Sequence, residues 1–166
     1  MIGGKNMDDR QFRQAMGQFA TGVTVITTEM DGKEHGMTAN AFMSVSLDPK
    51  LVVVSIGEKA QMLEKIKKSK KFAINILSDA QQEYSQIFAG QIKENREIDF
   101  DFLAGLPVLN GAIAQVACDV VSEHVEGDHT LFIGKVIDLK VEDGDPLLFF
   151  KGKYRSILSE VSYVSK

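Results

Sequence analysis

HGMTANAFMSVSLDPKLVVVSIGEKAQ, residues 35–61, opens on small and polar side chains and closes past an unbroken apolar run. Met43 to Leu47 alternates apolar residues with serine, the period of a half-buried strand, and Asp48-Pro49 stops it. Leu51 to Ile56 is apolar almost throughout, which predicts a central strand covered on both faces. Ser55, Gly57, Lys59 and Gln61 then fall where this strand runs into the start of a helix. Free N–H groups at a helix start, with the dipole behind them, bind phosphate readily. Gly57 lets the backbone approach closely, and Lys59 adds a full charge. Thr38, Ala39, Asn40 and Ala41 place little side chain in the way of a ligand. The stretch predicts a backbone-rich cleft for a flat ligand with a negatively charged tail.

Working outward, residues 1–7 read as a loose start and Asp8 to Phe19 as a helix with Phe12, Met16 and Phe19 on one face. VTVITT (23–28) is an alternating, β-branched strand, and Asp31-Gly32 is a hairpin-turn signal. Lys59 to Lys71 turns helical, with a narrow stripe of Met62, Leu63 and Ile66 and a solvated, lysine-rich end that suits the helix dipole. FAINIL (72–77) is another strand, and Ser78 or Asp79 caps a helix running to Phe88. Residues 89–107 have no sustained period and read as a long loop. Long strands follow over Ile113–His124 and Thr130–Val141, and a short one over Leu147–Phe150. Seven or eight strands with two or three helices indicate a mainly β, antiparallel barrel or sandwich, and residues 1–166 form one domain. The pattern lacks both strict α/β alternation and a glycine-rich fingerprint, which argues against a Rossmann domain.

The 166 residues are 44% hydrophobic and 25% charged, ordinary for a globular protein. A net charge of −4 offers no global attraction to nucleic acid or an anionic membrane. A single cysteine, Cys118, excludes an internal disulfide and sits among valines as a core residue. No apolar run reaches the ~18 residues of a membrane span and no signal-peptide pattern opens the chain, so the expectation is a cytoplasmic protein. His129 follows the Gly127-Asp128 turn at the mouth of a strand, a setting that His35 and His124 lack. No metal-ligand spacing and no nucleophile elbow is present, so no metal site is expected. An anion cradle, a backbone-lined cleft and one placed histidine fit chemistry carried by a bound, phosphorylated flat cofactor.

FRQAMGQFATGVTVITT (12–28), GMTANAFMSVSLDPKLVVVSI (36–56), FAINIL (72–77), GDHTLFIG (127–134) and PLLFFKGKY (146–154) occur in this order. Together they resemble the short-chain flavin reductases that serve two-component flavin-dependent monooxygenases, over a core of about residues 8–157. The resemblance implies an FMN-binding split barrel of antiparallel Greek-key type, a homodimer, and reduction of FMN or FAD by NADH or NADPH for a partner oxygenase. By the same resemblance Thr38, Ala39, Asn40, Ala41 and Phe42, with Ser44, line the isoalloxazine and ribityl chain. Ser55, Ile56, Gly57, Lys59, Ala60 and Gln61 hold the phosphate, and Phe88, Ala89 and Gly90 close the other side. His129 meets the nicotinamide as the catalytic-site histidine, and Tyr154 lies near the pyridine nucleotide. The family commonly carries serine or threonine with arginine or histidine near positions 60 and 61; Ala60 and Gln61 depart from that, leaving Lys59 as the substitute cation. The same cleft also suits a ferric or other metal-complex reductase, or an FMN-binding protein without turnover.

Overall fold

The structure, a computed structural model, describes residues 8–93 and 97–157, so the loose start expected over residues 1–7 lies outside it. Helix α1 (Asp9–Met16) leads into β1 (Thr21–Gly22), β2 (Thr24–Met30), β3 (Lys33–Ala39), β4 (Phe42–Leu47) and β5 (Lys50–Gly57). After α2 (Gln61–Ser69) come β6 (Lys71–Ile76), a 3-10 turn (Asp79–Gln81) and α3 (Gln82–Phe88). The hairpin β7 (Phe100–Leu103) and β8 (Leu106–Leu109) precedes the long pair β9 (Ala114–Glu126) and β10 (His129–Val141). Strands β11 (Leu148–Phe150) and β12 (Lys153–Arg155) complete the described chain.

Seven strands form one antiparallel sheet in the order β3-β2-β6-β9-β10-β5-β4. Its two edge strands, β3 and β4, are joined by Asn40 and Ala41 alone. In a flat sheet the six gaps of about 4.8 Å would set these edges roughly 29 Å apart. Three Cα steps from Ala39 to Phe42 span at most about 11 Å. The sheet must therefore roll until the adjoining ends of its edge strands approach, and because β3 and β4 do not pair it stays open as a split barrel. Register shifts in β4 between Ser44 and Ser46, and in β10 beside Gly134 and between Val136 and Asp138, supply curvature.

The rolled sheet encloses Ile26, Val54, Ile56, Phe72 and Phe132, none of them exposed, and α2 inserts Met62, Leu63 and Ile66 among them. Gly134 lets β10 pass over this core, since a Cβ there would sit 2.6 Å from the Phe72 ring and 2.9 Å from the Cys118 Cβ. Outside the barrel, Val23, Val25, Leu77, Leu109 and Leu147 make a second cluster with aromatics from α3, β7 and β11. Strand β2 is thus covered on both faces, which explains why all of Val23 to Thr28 is buried.

The expected strands at 43–47, 51–56, 72–77 and in the long pair are present, with ends shifted by a few residues. Helix α1 ends at Met16, three residues early, and buries none of its residues. Besides the short β1 and β12, strand β3 and the β7–β8 hairpin depart from expectation. Lys33–Ala39 lacks β-branched residues apart from Thr38, yet it pairs with β2 along its whole length across the Asp31-Gly32 turn. The expected loop 89–107 contains β7 and the start of β8, which pair across Ala104-Gly105.

Asn75 fastens that hairpin to the barrel. Its Nδ2 donates to the Val25 carbonyl at 3.0 Å and the Thr27 hydroxyl at 3.1 Å, and its Oδ1 accepts from the Leu109 N–H at 2.7 Å. Asn75 is fully buried, so removing it leaves these groups unpaired where water cannot reach them. Asn75→Ala should cost about 2–4 kcal/mol and lower Tm by roughly 5–15 °C in a thermal melt. A drop below about 2 °C would show that β8 is held by other contacts.

Candidate functional site

The roll brings the ends of β3, β4, β5 and β10 to one rim. Ser55 donates its N–H to the Ala41 carbonyl at 3.1 Å, and Phe42 faces Val54 in register. Two residues beyond Ser55 along β5, Gly57 faces His129. A Cβ on Gly57 would lie 3.5 Å from His129 Nε2, so the imidazole sits beside the glycine backbone. The Glu58 N–H donates to the Asp128 carbonyl at 2.9 Å and ties the two loops together. Asp128 Oδ1 lies 2.7 Å from His129 Nδ1. That contact assigns the proton to Nδ1 and leaves Nε2 toward Gly57. The ring hydrogen bond and its charge, with a smaller contribution from Lys59, hold the Asp128 carboxyl below its usual range.

Helix α2 starts beside this pair with Ala60 as its cap residue, and no side chain caps it. The Leu63 N–H donates to the Ala60 carbonyl at 3.1 Å, but Ala60 has no side-chain oxygen for the N–H groups of Gln61 and Met62, which are left to an external acceptor, and Lys59 is exposed next to them. The arrangement is an anion cradle built from Gly57, Lys59, Ala60 and exposed Gln61, with His129 on its rim. Ile56 is fully buried in the barrel core and offers only its backbone there.

The second part of the site is a cleft of about 180 Å³ at the seam. Thr38, Ala39 and Asn40 form one wall, and Ala89, Phe149 and Tyr154 face them. Hydrogen bonds lock it: Thr24 donates to the Ala39 carbonyl at 2.6 Å, and Thr38 to the Ser85 carbonyl at 2.6 Å. The Ser85 and Tyr154 hydroxyls are 2.9 Å apart, and Phe149 meets Tyr154 edge-on at 5.4 Å. Phe42 lines an adjoining groove with Asn40, Thr24 and Ile76.

The sequence-derived residues therefore fall into two groups linked by the Ala41–Ser55 hydrogen bond, with Ser44 exposed further along β4. Phe88 has a packing role. A Cβ on Gly36 would fall 2.5 Å from its ring, which also tilts against Phe100 at 6.2 Å. Gly90 is exposed at φ +71° just beyond α3. Asp128, Ser85 and Phe149 were not singled out in the sequence. Asp128 was signalled by adjacency to His129, whereas nothing local marks Ser85, which meets Tyr154 across 69 residues.

Burial, with a smaller contribution from Asp119, pushes the Cys118 thiol up to about 12, so it offers no thiolate. Among the described residues no three His, Cys, Asp or Glu side chains gather to hold a metal, and no helix is long and apolar enough to cross a membrane.

The family model for the flavin reductase like domain matches residues 16–158. An NADH-dependent flavin reductase from a Rhodococcus species is 47% identical over 148 residues, 87% of this chain and 84% of that protein. The reductase component of 4-hydroxyphenylacetate 3-monooxygenase from Thermus thermophilus is 34% identical, covering 89% of this chain and 95% of its own. Among solved structures, the flavin reductase PheA2 in its native state superposes with a TM-score of 0.91 at 63% identity, over 92% of this chain and all of that one.

Proposed function

The chain belongs to the family of flavin reductase-like domains, and we propose from that membership and the seam cleft that it uses NADH or NADPH to reduce FMN or FAD for a partner oxygenase. The observation that carries this reading is the pairing of a flat, part-apolar cleft with an uncapped helix start one strand end away. A flavin mononucleotide has that same division into a planar ring and a phosphate tail. When both groups are bound, the nicotinamide and the flavin between them supply the hydride chemistry.

The protein's part is placement and electrostatics. The Thr38–Phe42 stretch and Ser44 are assigned to the ring and ribityl chain; the Phe42 N–H is taken by the Asn40 carbonyl at 3.0 Å, so the donors for a ring that gains negative charge come from the rest of the stretch. Gly57, Lys59, Ala60 and Gln61 take the phosphate. Tyr154, fixed by Ser85, closes the opposite wall. His129, oriented by Asp128, positions the dinucleotide and transfers no proton. A cytoplasmic location, with access to NADH and free flavin, accompanies this reading.

The outer face of β4 exposes Met43 at 60%, Val45 at 46% and Leu47 at 88%, an apolar strip on an edge strand. We assign it to a homodimer contact. Light scattering should give twice the 18.3 kDa chain mass at micromolar protein, and a fully active monomer would remove the assignment.

Lys59→Ala should weaken FMN binding by about 1 kcal/mol, roughly fivefold, and riboflavin binding hardly at all. Fluorescence titration with both ligands checks this, and equal losses would place Lys59 away from the phosphate. Wild-type protein should oxidise NADH when FMN is added, and its failure to do so would sink the function itself. His129→Ala should raise the KM for NADH and lower kcat/KM by about 5- to 30-fold with flavin affinity unchanged. A lower Tm with unaltered kcat/KM would return His129 to a purely structural role.

A further inference from the structure

Ser85 is fully buried on α3 and touches lining residues on both walls of the seam cleft. Its carbonyl accepts the Thr38 hydroxyl at 2.6 Å from one wall and the Ala89 N–H at 3.0 Å from the other. Its hydroxyl lies 2.9 Å from that of Tyr154, which β12 brings in from 69 residues away. A serine inside a helix ordinarily turns to solvent or bonds back to the carbonyl four residues earlier. Here the partner of the hydroxyl among the described residues is Tyr154.

Either oxygen of a hydroxyl pair can donate, and burial decides between them. Ser85 is 0% exposed, so if Tyr154 donated, the Ser85 hydrogen would have neither water nor a second acceptor among the described residues. A buried donor left unpaired forfeits its hydration without return. Tyr154 is half-buried and lines the cleft, so its own hydrogen has open space to face. Both hydrogens are satisfied only when Ser85 O–H donates to the Tyr154 oxygen and Tyr154 O–H points into the cleft. Accepting that bond polarises the phenol and strengthens the bond it donates in turn. The ring is held in this direction, because Phe149 faces Tyr154 across the β11–β12 ladder and meets it edge-on at 5.4 Å. Three side-chain hydroxyls line the cleft, those of Thr38, Ser85 and Tyr154. Thr38 and Ser85 commit their hydrogens to the protein, and Tyr154 keeps its own for a ligand.

We infer that Ser85 is a positioning residue that aims the Tyr154 O–H into the seam cleft as a donor to a carbonyl oxygen of the bound ring, an assignment that rests on the flavin reductase reading. The isoalloxazine ring and the nicotinamide carboxamide both present such an oxygen. Ser85 acts on the ligand through Tyr154, and its carbonyl sets the spacing of the two walls through Thr38 and Ala89. A phenol without this support would be free to turn its hydrogen along the wall, and the ring would lose one fixed contact of the geometry that hydride transfer needs.

The test is a double-mutant cycle of Ser85→Ala and Tyr154→Phe. Ser85→Ala keeps the carbonyl that holds Thr38 and Ala89, and Tyr154→Phe keeps the ring against Phe149, so each removes a hydroxyl and little packing. Fluorescence titration gives Kd for riboflavin, which reports the ring without the phosphate. Steady-state kinetics with FMN give KM and kcat for NADH, and thermal melts give Tm. If the flavin supplies the carbonyl, Tyr154→Phe should raise the riboflavin Kd about five- to tenfold and Ser85→Ala about three- to fivefold. If the nicotinamide supplies it, the same rises appear in the NADH KM while the riboflavin Kd stays. Either result supports the inference when Ser85→Ala adds less than about twofold in the Tyr154→Phe background, since its effect runs through the phenol. An effect of equal size in both backgrounds overturns it. So does a Ser85→Ala or Tyr154→Phe variant that leaves every ligand constant within about twofold, whatever its Tm. Wild-type protein that fails to oxidise NADH with FMN sinks the function itself, whereas an active wild type beside additive variants sinks the role of Ser85 alone.

Discussion

Asn40 and Ala41 tie together the two outermost strands of a seven-stranded sheet, and that short tether forces the sheet to roll into an open, split barrel. Everything at the rim follows from it. The join is built of the small residues Asn40 and Ala41, and its main chain leaves two strand ladders at once. Main-chain groups that leave a ladder need other partners. Some are found internally, as when Ala41 accepts from Ser55 and Ala39 from Thr24. A groove bounded by such backbone, with few long side chains over it, is where a planar ligand can lie close to the chain.

The same roll places β2 between two cores, and its composition answers that position. Val25 and Ile26 fill opposite sides, while three threonines face buried surroundings with their hydroxyls satisfied. Thr24 donates to Ala39, Thr27 to Pro107, and Thr28 to Lys71 at 2.8 Å. Each joins β2 to a different segment, so the polar atoms of a doubly covered strand act as ties between the barrel and what packs on it. Buried hydroxyls without such partners would cost a kilocalorie or more apiece, about the net stability a domain can spare only a few times.

Elements whose identity is carried by their own side chains were legible in the sequence. Leu51–Ile56 was legible as a strand, the stripe Met62, Leu63 and Ile66 as a helix face, and Asp31-Gly32 as a turn. Strand β5 is next to the sheet edge, however, and buries only Val52, Val54 and Ile56, so the expectation of a central strand covered on both faces fails. Strand β3 was not legible, because KEHGMTA has almost no intrinsic strand character and becomes a strand by pairing with β2. The β7–β8 hairpin was hidden for a related reason. It is held by Asn75, 34 residues earlier in β6, and by Gln115 at the start of β9, which donates to the Leu109 carbonyl at 2.6 Å. Within the site, the Gly57–Lys59 cradle could be read from strand-to-helix chemistry alone. Assignment of Thr38, Ala39, Asn40, Ala89 and Tyr154 to one cleft needed the family resemblance, and the Ser85–Tyr154 contact needed the fold.

Exposure across the two halves of the site bears on how a flavin would be handled. Asn40, Ala41, Ser44, Lys59, Gln61 and His129 are all exposed, whereas the groups that brace them, Thr24, Ser85 and the β5 core, are buried. The scaffold is rigid and the contact surface is open. Interactions made at an exposed rim are each worth about a kilocalorie or less, because solvent competes with them. Several such contacts can orient a ring for hydride transfer without holding it for long, since orientation depends on geometry and residence time on summed free energy. A reductase that passes its product to another enzyme requires that combination: a buried frame that fixes position and a rim shallow enough to let the reduced flavin leave.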